Sequence, residues 1–315
     1  MRYSRTHMKS SLSRRDFIVR SGLCATAGAL SLKLQTSSLT AEGARIPIVV
    51  FSKAYQPLKL SFTEAAALTA EVGLDGVDSP VRPDGEILPE HVSDELPAYA
   101  EALQKAGLAM PLLTTAITGP DSPQTETLLK TAKRVGVKFY RLGFMDRASG
   151  DSWNKQLREL RARLKDLASM NKEIGVGAVI QNHSPSGRTY VGGDVDELAE
   201  IVAQFDPSQV GVAFDIAHAL KVHGHDWPAR FEKIKSHLKA VYVKDVNQAG
   251  HFVPLGQGQV GGSGYFKVLR ESSYRAPISL HIEYDQPGAV QPTTRPALSK
   301  AIKDSVHVLN GWLSA

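Results

Sequence analysis

The stretch Val210–His218, VGVAFDIAH, decides how the rest of the chain is interpreted. An apolar run rich in β-branched residues ends in Asp215 and His218, with only Ile216 and Ala217 between them. This pattern is typical of a buried strand that delivers polar side chains to its carboxyl end, which is where barrels of parallel strands place their active sites. The alternative is a helix start, at which Asp215 caps backbone amides and His218 lies on the surface.

Composition indicates one large folded domain without an excess of basic charge. The chain has 315 residues, 42% of them hydrophobic, and a net charge of +5. Residues 1–44 contain seven Lys or Arg and two Asp or Glu, so they account for the whole net charge. Nucleic-acid binders concentrate basic charge on their folded part, and we therefore expect no nucleic-acid partner. The only cysteine, Cys24, also lies in this segment, so a chain without it would have no disulfide and no thiolate chemistry.

Residues 1–44 are predicted to be an export leader. Ser13–Ile18, SRRDFI, matches the twin-arginine export pattern, and a weakly apolar stretch, Phe17–Leu32, overlaps and extends it. Arg20 interrupts that stretch, which is too short for a stable membrane anchor. We expect cleavage near Ala41, export by the twin-arginine machinery, and a periplasmic or secreted protein without a membrane anchor. A basic amphipathic tail is the alternative.

From Arg45 onward, short β-rich runs alternate with longer helical patterns, which is typical of βα units and a parallel sheet. The predicted strands cover Ile46–Ser52, Gly76–Asp78, Met110–Thr115, Phe139–Phe144, Gly177–Gln181, Val210–Phe214, Ala240–Val243 and Ile278–Glu283. The predicted helices cover Phe62–Val72, Leu96–Ala106, Thr125–Val135, Lys155–Ile174, Val195–Phe205, Trp227–Leu238, Tyr265–Glu271 and Pro296–Leu313. Eight strand–helix repeats predict an α/β fold, a single (β/α)8 TIM barrel over residues 45–315.

Polar side chains lie at or just beyond the ends of most predicted strands. They are Lys53, Arg82, Arg141, Gln181, His183, Asp215, His218, Lys244, Asp245, His281 and Glu283. In a barrel these groups meet at one mouth. Carboxylate, imidazole and amide groups in one cavity suit a divalent cation, which leaves arginine and lysine to bind an oxygen-rich substrate.

Some of these residues have a second interpretation. Arg141 could pair with a carboxylate under the sheet, and His183 could only cap a turn. His281 shares a face with Glu283 and could support it rather than bind substrate. The residues Gly256, Gly258 and Gly261 match the dinucleotide fingerprint, but ten residues separate Asp245 from Gly256, so a mobile loop over the mouth is the better interpretation.

Six segments resemble, in this order, the xylose isomerase-like barrel superfamily of sugar phosphate isomerases and epimerases. They are GVDSPVRPDGEILPE (76–90), VIQNHS (179–184), FDIAH (214–218), VYVKD (241–245), PLGQGQVGGSGY (254–265) and ISLHIEY (278–284). The resemblance implies Mn, Mg, Co or Zn held by a Glu after strand five, an Asp after strand six, a His after strand seven and a Glu after strand eight. Asp215 and Glu283 match, whereas Gln181 and Tyr242 stand at the other two positions. A weakly held metal is therefore expected, with Gln181, Asp215, Glu283 and His218 as ligands.

The resulting hypothesis is a metal-assisted isomerase, epimerase or keto-sugar lyase that acts on a sugar or sugar derivative. Glu283 would remove the proton next to a carbonyl, with His183, His218 or Lys244 as the second group. The predicted substrate-binding residues are Lys53, Arg82, Arg141, Asp245 and His281. Two alternatives remain. One is a non-catalytic exported sugar-binding barrel with a decayed metal site, and the other is a metal-dependent phosphodiesterase of the abasic-site endonuclease type.

Overall fold

Eight parallel strands close into a barrel in a computed structural model that describes residues 45–315. The strands of residues 45–315 are β1 (Ile48–Phe51), β2 (Gly76–Val81), β3 (Ala109–Thr115), β4 (Phe139–Arg141), β5 (Gly177–Gln181), β6 (Val210–Asp215), β7 (Leu238–Val243), β8 (Asp245–Val246), β9 (Phe252–Val253) and β10 (Ile278–Leu280). The short strands β8 and β9 form a separate antiparallel pair, and β10 pairs with β7 and β1 to close the barrel. The predicted TIM barrel is confirmed, while the predicted leader lies outside the described residues.

Helices surround the barrel and connect its strands. They are α1 (Phe62–Glu71), α2 (Val92–Lys105), α3 (Thr125–Arg134), α4 (Trp153–Ile174), α5 (Val195–Val202), α6 (Ile216–His223), α7 (Trp227–Ile234), α8 (Tyr265–Glu271) and α9 (Arg295–Ser314). Ser61 and Glu64 form a capping box at the start of α1, with the three-residue spacing that this motif requires. Within residues 45–315, none of the helices combines the length and the apolar character that crossing a membrane requires.

The barrel wall separates two apolar clusters. Val49, Leu112, Val179, Ala213, Ala240 and Tyr242 fill the interior. Their chain neighbours, among them Val50, Leu113, Ile180 and Phe214, face the helices instead. Successive residues of a strand point to opposite faces of the sheet. Because both faces of this wall are buried, the sequence of each strand is largely a continuous run of apolar residues.

The prediction missed α6, a helix that begins directly after β6. Asp215 ends β6 and is also the N-cap of α6, because its Oδ1 accepts a hydrogen bond from the backbone N–H of His218 at 3.2 Å. The strand and the capped helix are therefore both present. His218 is buried rather than on the surface. The predicted helix Trp227–Leu238 is shorter than expected, since α7 ends at Ile234.

Two predicted strands extend three residues beyond the carboxyl ends of the actual ones. Predicted strands Phe139–Phe144 and Ile278–Glu283 end at Arg141 and Leu280. Each continues for one further backbone hydrogen bond, from Leu142 N–H to Val179 O and from His281 N–H to Val243 O, and then leaves the sheet. The residues that follow are therefore free to line the mouth.

Candidate active site

The carboxyl ends of the barrel strands surround a polar pocket of about 130 Å³. Eight of the eleven predicted site residues line it, namely Lys53, Arg82, Arg141, Gln181, His183, Lys244, His281 and Glu283, together with Phe51, Thr114 and Phe144. Asp215 and His218 are buried behind this pocket. Asp245 is also buried and does not line it.

Glu283 accepts hydrogen bonds from two lysines. Lys244 Nζ donates to Glu283 Oε2 at 3.0 Å, and Lys53 Nζ donates to Glu283 Oε1 at 3.3 Å. His281 Nδ1 lies 3.8 Å from Glu283 Oε2. Burial acts to raise the pKa of Glu283, but Lys244, His281 and Lys53 together lower it well below its usual range. Glu283 is therefore a carboxylate at neutral pH.

Lys244 lies between two carboxylates. Its side chain is 4% exposed, and its Nζ lies 3.0 Å from Glu283 Oε2 and 3.7 Å from Asp215 Oδ2. The ring of Phe252 covers the ammonium at 4.4 Å. Burial acts to lower the pKa of Lys244, but Glu283 and Asp215 outweigh it and the pKa is raised. Lys244 is thus a cation and hydrogen-bond donor, and not a proton acceptor at neutral pH.

Asp215 is surrounded by hydrogen-bond donors. Gln181 Nε2 donates to Asp215 Oδ2 at 3.1 Å, and the backbone N–H of His218 donates to Oδ1. Asn182 holds the backbone of Asp215 from both sides, since its Oδ1 accepts from Asp215 N–H at 2.8 Å and its Nδ2 donates to Asp215 O at 2.9 Å. Asn182 lies between two predicted site residues in the segment VIQNHS, and its position at the end of strand five gave it no predicted role.

His183 and His218 stack at the rear of the pocket, with ring centroids 3.7 Å apart. His183 Nδ1 lies 2.7 Å from the carbonyl oxygen of Ser184. A carbonyl only accepts, so Nδ1 carries the proton and Nε2 of the neutral ring has a lone pair. Burial, and then the ammonium of Lys244, lower the pKa of His183 to about 4. His183 is therefore a neutral imidazole that lines the pocket.

His218 has the opposite tautomer. Ser184 N–H donates to His218 Nδ1 at 3.2 Å, so in the neutral ring the proton is on Nε2. That Nε2 lies 3.6 Å from Asp215 Oδ2 and has no hydrogen-bond partner. Burial, and then Lys244 and His183, lower the pKa of His218 well below its usual range. His218 thus supports the site from behind and does not line the pocket.

These contacts do not fit a divalent metal held by Gln181, Asp215, His218 and Glu283. A metal requires lone pairs that face it, yet Gln181 turns its NH₂ group and His218 its Nε2–H toward Asp215. The ammonium of Lys244 lies between the two carboxylates that remain. Within residues 45–315, no group of three or more His, Cys, Asp or Glu is arranged to hold a metal ion. The structure does not support the predicted metal ligands.

Two arginines line the polar pocket without a carboxylate partner among the described residues. Arg141 is 4% exposed, donates to Leu142 O at 3.1 Å and stacks over Phe144 at 4.4 Å. Burial is the main influence on the pKa of Arg141 and lowers it. Arg82 lies 5.9 Å from the ring of Phe51, and its Nε has no hydrogen-bond partner. The alternative of an ion pair under the sheet is thus wrong for Arg141, and both guanidinium groups remain free to bind an oxygen-rich ligand.

The prediction that Asp245 binds substrate is corrected by its contacts. Its Oδ1 accepts from the backbone N–H groups of Val246 and Val260 at 2.9 and 3.0 Å. Its Oδ2 accepts from Gly256 and Gly258, both at 2.9 Å. A Cβ at Gly258 would lie 2.3 Å from Asp245 Oδ1, so glycine is required for this close approach. Asp245 therefore holds the loop that contains Gly256, Gly258 and Gly261, here called the glycine loop, by hydrogen bonds, although this loop was predicted to be mobile. These glycines line neither the polar pocket nor the larger pocket that adjoins it.

A larger pocket of about 430 Å³ adjoins the polar one and shares Phe51, Lys53 and Glu283 with it. Most of its other lining residues are apolar or uncharged, and they include Ala54, Pro57, Phe252, Ile282, Tyr284, Pro292 and Leu298. The ion pair of Lys53 and Glu283 thus lies at the boundary of the two pockets. No pattern in the sequence marks these lining residues, because they come from separate parts of the chain, namely the 3-10 turn after β1, the strand β9, the loop after β10 and the helix α9.

A family profile described as xylose isomerase-like TIM barrel matches residues 66–310. The chain therefore belongs to the xylose isomerase-like TIM barrel family. Among curated proteins, none matches the chain in sequence.

Solved structures share the fold at low sequence identity. A D-psicose 3-epimerase with D-tagatose from Clostridium cellulolyticum H10 is 13% identical with a TM-score of 0.63, over 84% of this chain and 99% of the other. The 3-keto-D-glucoside 4-epimerase YcjR from E. coli is 15% identical with a TM-score of 0.65, over 85% and 100%. The IOLI protein with a binding zinc atom is 17% identical with a TM-score of 0.65, over 85% and 98%.

Proposed function

We propose that the protein is a sugar isomerase, epimerase or keto-sugar lyase that removes a proton from the carbon next to a carbonyl. The observation that carries the proposal is the polar pocket, in which the carboxylate of Glu283, the neutral ring of His183 and the ammonium of Lys244 line one cavity. Membership of a family whose structural neighbours include sugar epimerases supports it.

In the proposed reaction, Glu283 accepts the proton of the C–H bond, and the electron pair of that bond moves toward the carbonyl oxygen. Lys244 donates a hydrogen bond to that oxygen and stabilises its negative charge. His183, through the lone pair on Nε2, is the second proton-transfer group. Return of a proton to the opposite face of the same carbon gives the epimer. Delivery of the proton to the former carbonyl carbon, with loss of the proton from the neighbouring hydroxyl, gives the isomer, and loss of a leaving group from the next carbon gives the lyase product.

Substrate binding is assigned to three cationic side chains that have no role in the proton transfer, namely Lys53, Arg82 and Arg141. Lys53 lies at the boundary of the two pockets, while Arg82 and Arg141 face the polar one. We also propose that the protein is exported by the twin-arginine pathway to the periplasm or beyond. Phosphorylated sugars are mostly cytoplasmic, so free sugars, oxidised sugars or glycosides are the expected substrates.

The test is deuterium exchange. A panel of aldo, keto and oxidised sugars is incubated with the protein in heavy water, and NMR detects deuterium on the carbon next to the carbonyl. Glu283→Gln should abolish exchange, because the amide keeps the shape of the side chain but cannot accept the proton. Lys53→Ala and Arg82→Ala should weaken binding and leave part of the exchange. Exchange at the wild-type rate in Glu283→Gln would rule out Glu283 as the base.

The second candidate function is a sugar-binding barrel without catalysis. Gln181 and Tyr242 favour it, because they stand where the family resemblance implies two metal ligands. The same panel separates the two functions, since binding of a sugar by calorimetry without exchange or loss of a leaving group supports the binding protein. The phosphodiesterase gains no support, because the described residues offer no metal-binding group of the kind it needs.

A further inference from the structure

We propose that the ammonium of Lys244 is the resident cation of this site and takes the place of a divalent metal ion. It supplies the positive charge that holds Asp215 and Glu283 together at the mouth of the barrel. Its further role, stabilising a negatively charged substrate oxygen, rests on the proposed function, whereas its role as the cation of the cluster does not.

The barrel topology places Lys244 between the two carboxylates. The order of the strands around the barrel is β10, β7, β6, and Lys244 directly follows β7. Asp215 ends β6, and Glu283 lies three residues beyond the end of β10. The central strand of the three thus brings a cation to the point where its two neighbours bring anions.

The burial of Asp215 and Lys244 favours a cation at the point where the two carboxylates meet. Asp215 is completely buried, and the side chain of Lys244 is 4% exposed. Water therefore screens the charge of Asp215 very little, and charges that are not screened interact strongly. Because each carboxylate lies within 4.0 Å of Lys244 Nζ, one ammonium serves both.

The other groups around Asp215 complete an arrangement of donors around an acceptor. The NH₂ group of Gln181 and the Nε2–H of His218 both face Asp215. This orientation points the positive ends of two neutral N–H dipoles at the carboxylate and so stabilises its negative charge, and it is the reverse of what a metal requires. Lys244 also lines the polar pocket, so a substrate oxygen there can accept a hydrogen bond from it.

In the experiment, a chelator first removes any bound metal from the protein. The protein is then titrated with Mn²⁺, and isothermal calorimetry measures the binding. The wild-type protein should bind no stoichiometric Mn²⁺. Lys244→Met keeps an unbranched side chain only one atom shorter but removes the charge, so Mn²⁺ affinity should rise at least about tenfold above the upper limit measured for the wild type. Adding Gln181→Glu to Lys244→Met should raise it by about tenfold again, because a third carboxylate then faces the vacated position.

Lys53→Met is the matched control. Lys53 also pairs with Glu283 but forms no ion pair with Asp215, so Lys53→Met, like the wild type, should bind no stoichiometric Mn²⁺. A folded Lys244→Met that gains no Mn²⁺ affinity overturns the proposal, as does an equal gain in Lys53→Met. None of these readouts depends on turnover, so failure of the proposed function leaves the titration decisive.

A second variant keeps the proposal testable if Lys244→Met does not fold by circular dichroism. Lys244→Arg retains the positive charge and should fold without binding Mn²⁺. The thermal midpoint of the wild type should also be unchanged by excess Mn²⁺, because a ligand stabilises a protein only when it binds the folded state. One equivalent of Mn²⁺ bound by the wild type or by Lys244→Arg at the Asp215 carboxylate would overturn the proposal.

Discussion

Glu86 is a half-buried residue whose carboxyl group is enclosed by Ser52 and Ser79 and whose ionisation opposes folding. Its Oε2 accepts from Ser52 Oγ at 2.5 Å and from Ser79 Oγ at 3.0 Å. Burial nevertheless raises its pKa from 4.5 to about 7. The unfolded chain therefore loses this proton first as the pH rises, and the free energy of unfolding falls between about pH 4.5 and about pH 7.

Glu86→Gln should remove this pH dependence, because the amide does not ionise. We expect urea denaturation at pH 5 and pH 8 to show a smaller loss of stability in the variant than in the wild type, by about 2 to 3 kcal/mol. Glu90→Gln, at an exposed position, is the control and should behave as the wild type. An unchanged pH dependence in Glu86→Gln would mean that this carboxyl ionises freely in the folded state.

At the level of single residues, the sequence predicts which positions lie near the mouth but not which way each side chain points. Eight residues of the polar pocket were predicted correctly because they lie at or just beyond the ends of predicted strands. Lys244 and Asp245 are adjacent, yet Lys244 lines the pocket and Asp245 binds the glycine loop. Both faces of β7 are buried, so no alternation of polar and apolar residues shows which of two neighbours points to the mouth. The direction of the Gln181 amide likewise depends on Asp215, which comes from a different strand.

At the scale of elements, the loop between β9 and α8 depends on one carboxylate. Asp245 accepts four backbone hydrogen bonds, and three of them come from this loop, at Gly256, Gly258 and Val260. Asp245→Asn replaces an acceptor oxygen with a donor that faces N–H groups. We expect a loss of about 2 kcal/mol in stability and faster hydrogen exchange at these three amides, measured by mass spectrometry.

The control for this prediction is Asp206→Asn. Asp206 also accepts from the backbone N–H and the side chain of one residue, Ser208, but in an exposed turn. Its loss should not change exchange in the glycine loop. Protection of that loop at the wild-type level in Asp245→Asn would show that Asp245 does not hold it.

Elements were predicted well where the period of the sequence is unambiguous. All eight barrel strands were placed, because each is a short apolar run between helical patterns. The helix α6 was not among the predicted helices, because it follows β6 without a loop and its start at Asp215 was considered only as the alternative to a strand end. Its start depends on Asp215 serving two elements at once, and a sequence pattern assigns each residue to one.

At the scale of the whole molecule, the charge distribution separates the predicted leader from the barrel. The change Arg14→Lys with Arg15→Lys should retain the precursor in the cytoplasm, because the export receptor reads the paired guanidinium groups. Cell fractionation and immunoblotting measure this. The control is Lys9→Arg, which alters a basic residue outside the pair and should leave export unchanged. Normal export of the double variant would contradict the proposed localisation.

The central claim is that the ammonium of Lys244, and not a divalent metal ion, lies between Asp215 and Glu283 at the mouth of the barrel. Anomalous diffraction tests this claim most directly. Crystals soaked in excess MnCl₂ are measured at a wavelength at which manganese scatters anomalously. The account predicts no anomalous peak between Asp215 and Glu283, with Lys244 Nζ within hydrogen-bond distance of Glu283. A strong peak at that position, with the Lys244 side chain displaced from between the carboxylates, would contradict it.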